Sequence, residues 1–147
     1  MAQLFVGHEI MGTNIYGMKT ERQFVNMLQD VIHEWGAMDK LLSDGAQVEI
    51  SEQVKDILCA YHISDWQSEP MQRHQNFIEY YYQTVKTSAN CILDQFGAPA
   101  ETWLLALKYV AYVLNQVAHE SLGYKTPLQA LTGQCPDISA ILIFHFW

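Results

Sequence analysis

Lys40-Leu41-Leu42-Ser43-Asp44-Gly45 and, further along, Gln75-Asn76-Phe77-Ile78-Glu79 are the stretches on which the reading of the fold turns. The first is a short apolar run that closes on an acid, and Gly45 permits a sharp exit from it. The second opens a long amphipathic stretch with Phe77, Tyr81, Val85, Ile92 and Phe96 on one face, which predicts a helix over 75–96, broken by Gly97-Ala98-Pro99. An acid at a strand end and an acid on a helix can converge on one divalent cation, a hard ion that prefers carboxylate oxygens. Each acid also has a plain structural reading. Asp44 before Gly45 is good turn chemistry, and Glu79 lies on a polar helix face where acids are commonly just solvated.

Outward from these stretches the chain alternates between short β-prone runs and helical periods. Gln3–Val6 and Asn14–Met18 read as strands separated by a turn over Gly7–Gly12. From Glu21, the spacing of Phe24, Val25, Leu28, Val31, Ile32 and Trp35 predicts a helix with Thr20 as N-cap and Gly36 as its stop. Ser51 caps a second helix with Val54, Ile57, Leu58 and Tyr61 on its face, and His62–Trp66 is a further strand. Gln67–His74, with Pro70, reads as a loop. After the 75–96 helix comes another from Ala100 to Ser121, with Trp103, Leu104, Leu107, Val110, Ala111 and Leu114 facing inward. Thr126-Pro127 opens a short helix to Leu131, and 141–146 reads as a final strand. This alternation indicates an α/β protein. With no repeat, low-complexity tract or linker, residues 1–147 read as one domain.

Half of the 147 residues are apolar, enough for a folded core, and no apolar run is long enough for a membrane span. Nothing at the N-terminus resembles a secretory leader. Cys59, Cys91 and Cys135 are odd in number with no CxxC spacing, which favours reduced thiols in an intracellular protein. The six histidines are dispersed and read as surface or core residues rather than ligands. Eight Lys and Arg face sixteen Asp and Glu, a net charge of −8, and the basic residues are scattered singly. Nucleic-acid binders normally gather positive charge against phosphates, so any DNA-binding reading rests here on motif, not on charge.

The motif is most specific downstream. Lys125-Thr126-Pro127-Leu128-Gln129-Ala130-Leu131-Thr132-Gly133, then Pro136-Asp137-Ile138-Ser139 and Phe144, resembles the end of a Copia-type LTR-retrotransposon integrase core. Trp103 through Asn115 resembles that family's W-x-x-A helix ending in Asn. Gln75-Asn76 followed by Glu79 and Thr84 resembles its Q-N…E-R-x-x-R-T helix. Ser43-Asp44 followed by Glu49, and Met18-Lys19-Thr20 before the first long helix, also match in order. The resemblance implies an RNase H-like fold, a mixed sheet flanked by helices. It also implies an enzyme that joins element-end DNA to target DNA with Mg²⁺ or Mn²⁺. Asp44 carries over as the second metal-binding, catalytic acid and Glu79 as the third. Lys86, Gln83 and Asn76 fall on the helix that meets DNA in the family, and are the candidate DNA contacts. DNA and a homo-oligomeric partner are the implied partners, and the nucleus the implied place of action.

The pattern also departs from the family. The first acid belongs on a strand before Ala2–Val6, and the chain is expected to be a core without that first, central strand. Glu9 lies in the turn after the first visible strand and is no substitute. The basic residues that follow the third acid in the family are replaced by Tyr80-Tyr81-Tyr82-Gln83. In-line phosphoryl transfer uses two metal ions about 3.5–4 Å apart, held by the full acid set, so the chain alone is expected to be inactive. The other reading is a non-catalytic interaction or dimerisation protein derived from a transposable element, using the apolar face of the Glu101–Leu122 helix.

Overall fold

The computed structural model describes residues 2–43, 51–67, 73–139 and 141. The chain is a mixed α/β protein built mainly of helices, with two small sheets. Strand β1 (Ala2–Val6) pairs with β2 (Thr13–Gly17), and the turn between them is closed by the Gly7 amide donating to the Gly12 carbonyl at 2.8 Å. Strand β3 (Lys40–Ser43) pairs in parallel with β4 (Ser64–Gln67), with Lys40 opposite Ser64 and Ser43 opposite Gln67. A parallel pair needs a crossover, and helix α2 (Glu52–Ala60) supplies it. Among the described residues no ladder joins the two pairs. The expected mixed sheet is therefore present as two separate pieces, and the strand that the resemblance places between them is not among the described residues.

By their contacts the residues fall into two compact units. The first comprises Met1–Gln3 and Tyr16–Gln83. Its core is helix α1 (Phe24–Trp35), packed on α2. Phe24, Met27, Leu28, Val31 and Ile32 of α1, Leu41 of β3, and Val54, Ile57 and Leu58 of α2 are buried, which is the 3.6-residue periodicity read from the sequence. The entry to α1 differs from expectation. A single 3-10 turn, Glu21–Gln23, precedes the α-helix. The Gln23 side-chain oxygen accepts from the Lys19 amide at 2.7 Å and the Thr20 amide at 3.4 Å. This is the backward-reaching half of a capping box, in which a residue three beyond the cap satisfies amides that the helix leaves open. The stop is as expected. Gly36 has φ +87°, a conformation that side chains disfavour, and its amide closes on the Ile32 carbonyl at 2.9 Å. Ser51 caps α2 through its hydroxyl, which accepts from the Val54 amide.

The second unit comprises Leu4–Ile15 and Thr84–Trp147. Helix α3 (Arg73–Phe96) begins in the first unit and ends in this one. Its stop is a Schellman motif: Gly97 takes φ +57°, its amide donates to Asp94, and the Ala98 amide reaches back to the Leu93 carbonyl at 2.9 Å. Val85 and Ala89 are buried on α3. Tyr81 and Ile92 are half-buried, and Phe96, expected inward, is 75 % exposed because it stands at the helix's last turn.

Helix α4 is Trp103–Leu114, preceded by a 3-10 turn at Ala100–Thr102, and is shorter than the expected Ala100–Ser121. Asn115 ends it. Its side-chain oxygen accepts from the Thr13 amide at 2.7 Å, its amide nitrogen donates to the Thr13 carbonyl at 2.8 Å, and its backbone carbonyl accepts from Leu128 at 3.1 Å. One side chain thus satisfies both backbone groups of a buried strand residue, as a neighbouring strand would. Beyond Asn115 the chain makes a bridge between His119 and Lys125 around a third 3-10 turn, Glu120–Leu122, where a continued helix was expected. On α4 the buried residues are Ala106, Val110 and Ala111. Leu104, Leu107 and Leu114 are half-buried, and Trp103 is exposed.

Helix α5 (Pro127–Thr132) forms as its sequence dictates. The buried Thr126 hydroxyl accepts from the Gln129 amide at 3.0 Å, Pro127 occupies the first turn, and Gly133 closes the helix at φ +75°. Ile141 lies in a turn, and residues 142–146 of the expected final strand lie outside the described residues.

Candidate functional site

The parallel β3–β4 pair sets the direction of the site. Both strands run the same way, so their C-terminal ends, Ser43 and Gln67, lie side by side. In open α/β sheets ligands gather beyond such ends. Asp44 is the next residue in sequence after β3 and lies outside the described residues. α3 begins at Arg73, shortly after β4, so the sequence pattern brings the end of β3, the end of β4 and the start of α3 into one unit.

Glu79 lies about 9 Å along α3 from its first residue, at 1.5 Å of rise per residue, and its side chain is exposed. Gln83 and Lys86, four and seven residues on, follow along the same side of the helix and are exposed too. Asn76 is on α3 one turn before Glu79, and its side chain lies outside the description. The carboxylate of Glu79 is a suitable ligand for a hard divalent cation. Among the described residues no group of three His, Cys, Asp or Glu side chains could hold a metal ion. Of the two acids singled out in the sequence, Glu79 is the one whose side chain is described, and Asp44 lies outside the described residues. Lys86 is the single cation on this face among the described side chains.

One surface feature escaped the sequence reading, and a second gives detail to the apolar helix face that the sequence had offered for dimerisation. Tyr80, next to Glu79, is 74 % exposed, and Tyr82 is exposed as well. In the sequence the two residues stand out only as part of the Tyr80–Gln83 run that takes the place of basic residues. The second feature is an open apolar groove of about 220 Å³, lined by Ile92, Leu93 and Phe96 of α3, Ala98 and Thr102 of the connector, and Leu105, Ala106 and Tyr109 of α4. It joins a run of exposed apolar side chains on α4, Leu105, Tyr109 and Tyr112, spaced four and three residues apart. The sequence signal for it was present: α4 has one charged residue, Lys108, in twelve. No described helix is long and apolar enough to cross a membrane.

No protein-family model and no curated protein match the chain. Solved structures do. The catalytic core domain of HTLV-2 integrase in complex with magnesium, in a trimeric form, matches with a TM-score of 0.70 at 17 % identity, over 88 % of this chain and 83 % of that one. The catalytic core domain of BIV integrase matches with a TM-score of 0.68 at 16 % identity, over 90 % and 85 %. The intasome of simian T-cell lymphotropic virus in complex with the PP2A regulatory subunit B56 gamma matches with a TM-score of 0.71 at 14 % identity, over 92 % of this chain and 51 % of that one. The chain has the integrase-core, RNase H-like fold.

Proposed function

We propose that this chain is the catalytic-core portion of a Copia-type retroelement integrase, a protein of DNA integration acting in the nucleus. Asp44 and Glu79 are its second and third metal-binding acids, for Mg²⁺ or Mn²⁺. Asn76, Gln83 and Lys86 contact DNA. The observation that carries the reading is the agreement between the integrase-core fold and the order of the motifs, with Glu79 exposed on the long helix that the Q-N…E motif marks. A bound divalent ion would supply charge stabilisation for the attacking and leaving oxygens of a phosphodiester. The chain's own part is to present carboxylates to the ion and to hold the DNA end along α3. Asp44 and Glu79 are the two acids of that set assigned here, and no strand transfer is expected from these two alone.

The test is strand transfer on element-end DNA with Mg²⁺ or Mn²⁺, run beside Mn²⁺ titration. The expected result is no joining, together with weak Mn²⁺ binding that Glu79→Gln abolishes. Metal-dependent joining that disappears in Asp44→Asn would overturn the inactivity while supporting the two acids. Mn²⁺ binding unchanged in both Asp44→Asn and Glu79→Gln would remove the site assignment.

The second reading, a non-catalytic dimerisation protein, is favoured by one observation, the exposed apolar run on α4. Two copies of a chain of charge −8 repel, so they meet most easily across a face without acids. The single charge on α4 is the positive Lys108. Self-association through α4 suits an integrase core as well as a non-catalytic relative, and DNA binding decides between them.

A further inference from the structure

We propose that His119 is a pH-sensitive latch on the connection between α4 and α5: its neutral imidazole holds residues 119–125 in a closed turn, and its protonation releases them. His119 stands before the 3-10 turn Glu120–Leu122 in an extended conformation. Its Nδ1 accepts from the Ser121 amide at 3.2 Å and lies 2.7 Å from the Ser121 hydroxyl. A backbone amide can only donate, so Nδ1 carries no proton in the closed turn and the ring proton sits on Nε2. The backbone of His119 closes the same turn. Its amide donates to the Lys125 carbonyl at 3.0 Å, and its carbonyl accepts from the Leu122 and Tyr124 amides, both at 3.1 Å. The closed turn also holds strain. Tyr124 has φ +63°, a left-handed conformation that a side chain disfavours and that persists only while its surroundings impose it. Imidazole is the side chain that changes charge near neutral pH. A proton on Nδ1 removes the acceptor for the Ser121 amide and sets two N–H groups against each other. The Ser121 hydroxyl can turn to accept from the charged ring, so one of the two contacts survives and the amide loses this partner. Three further titratable side chains belong to the turn. Glu120, next in the chain, favours the charged ring; Lys125, paired with His119 across the bridge, opposes it; Tyr124 precedes Lys125. The latch is therefore closed where the imidazole is neutral, and it opens as pH falls through the range in which the ring takes up a proton.

The experiment uses the full 147-residue chain and follows amide hydrogen exchange by NMR at pH 8 and pH 5, corrected for the intrinsic rate at each pH. Protection of the Ser121 and Tyr124 amides is expected to fall about fivefold from pH 8 to pH 5, the worth of one cap. Protection of the Leu128 amide, which is held by the Asn115 carbonyl at 3.1 Å and not through the turn, is expected to stay the same. His119→Asn supplies a neutral cap that does not titrate, and should keep the higher protection at both pH values. His119→Ala should show the lower protection at both. Ser121→Ala leaves the charged ring no hydroxyl to hold, so its fall should be steeper than that of the wild type. Equal protection of Ser121 and Tyr124 at the two pH values in the wild type overturns the latch, as does a fall in His119→Asn as large as in the wild type. A parallel fall at Leu128 assigns the pH effect to the whole unit and also overturns it. Should His119→Asn fail to fold, the wild type and Ser121→Ala decide: identical pH dependence in the two overturns the proposal, and a steeper fall in Ser121→Ala supports it.

Discussion

Helices α1 and α4 are both twelve residues long, and they treat water differently. α1 buries one face, with Leu28 wholly excluded from solvent, and turns Asn26, Gln29, Asp30, His33 and Glu34 outward. α4 buries only Ala106, Val110 and Ala111, small or β-branched residues, while Leu105 is 68 % exposed and Tyr109 and Tyr112 are exposed beside it. An amphipathic helix finishes its own boundary with water. A helix apolar on every side has surface left to cover. The pair of substitutions that breaks this comparison is Leu28→Ala against Leu105→Ala. The first should cost about 3 kcal/mol in urea unfolding, through lost burial and the cavity left behind. The second should leave monomer stability within about 0.5 kcal/mol, yet weaken self-association about tenfold by sedimentation. Equal costs for the two, or unchanged association in Leu105→Ala, would mean that α4 is simply a core helix with a rough surface.

The next contrast lies at the ends of the same two helices. α1 stops at a glycine, a local device. α4 stops at Asn115, whose side chain holds both backbone groups of Thr13 and whose carbonyl holds Leu128. That end of the helix is fixed by residues distant in sequence. Asn115→Ala leaves a buried amide and carbonyl of Thr13 without this partner and should cost about 2 kcal/mol, measured by thermal or urea unfolding. Asn115→Asp keeps an acceptor for the Thr13 amide but sets an oxygen against the Thr13 carbonyl, so it should not rescue. A loss equal to that of an exposed substitution would show that water replaces the side chain freely.

The same difference explains what was legible beforehand. Elements governed by nearby residues were readable: α1 from its periodicity and Gly36, α2 from Ser51, α5 from Thr126 and Pro127. β3 came out with its expected bounds. α4 was carried seven residues too far at its C-terminal end, because apolar residues continue past Asn115 and the partner that stops it, Thr13, is remote in the chain. The Asn was noticed as part of a motif, without its role. Phe96 was placed inward because the pattern does not reveal where a helix end meets solvent. Glu79, Gln83 and Lys86 are exposed on α3, the helix that the periodicity predicted. Tyr80 was missed because it falls outside the apolar stripe of the helix, and the pattern does not say how far an aromatic side chain off that stripe stands in water.

The polar side of α1 offers the smallest effect. Asp30 and Glu34 lie four residues apart on it, two like charges on adjacent turns. The Tyr16 hydroxyl of β2 donates to a Glu34 carboxylate oxygen across 3.5 Å. Burial pushes the Tyr16 pKa up to about 12, and the charges of Glu34 and Asp30 and the hydrogen bond to Glu34 push the same way. The neutral phenol is thus favoured in the folded chain. Below pH 10 the phenol is protonated whether the chain is folded or not, so its contribution is fully present. From about pH 10 to 12 the unfolded chain releases the proton first, and stability falls. Tyr16→Phe keeps the ring and has no proton to release. Its urea midpoint should therefore decline less than that of the wild type between pH 9 and 11, with near equality at pH 7, since the ring is only partly buried and solvent screens the charges. Parallel pH profiles for the two proteins would mean that Tyr16 ionises as freely in the folded chain as in the unfolded one, and that α1 meets water on this side with its own acids alone.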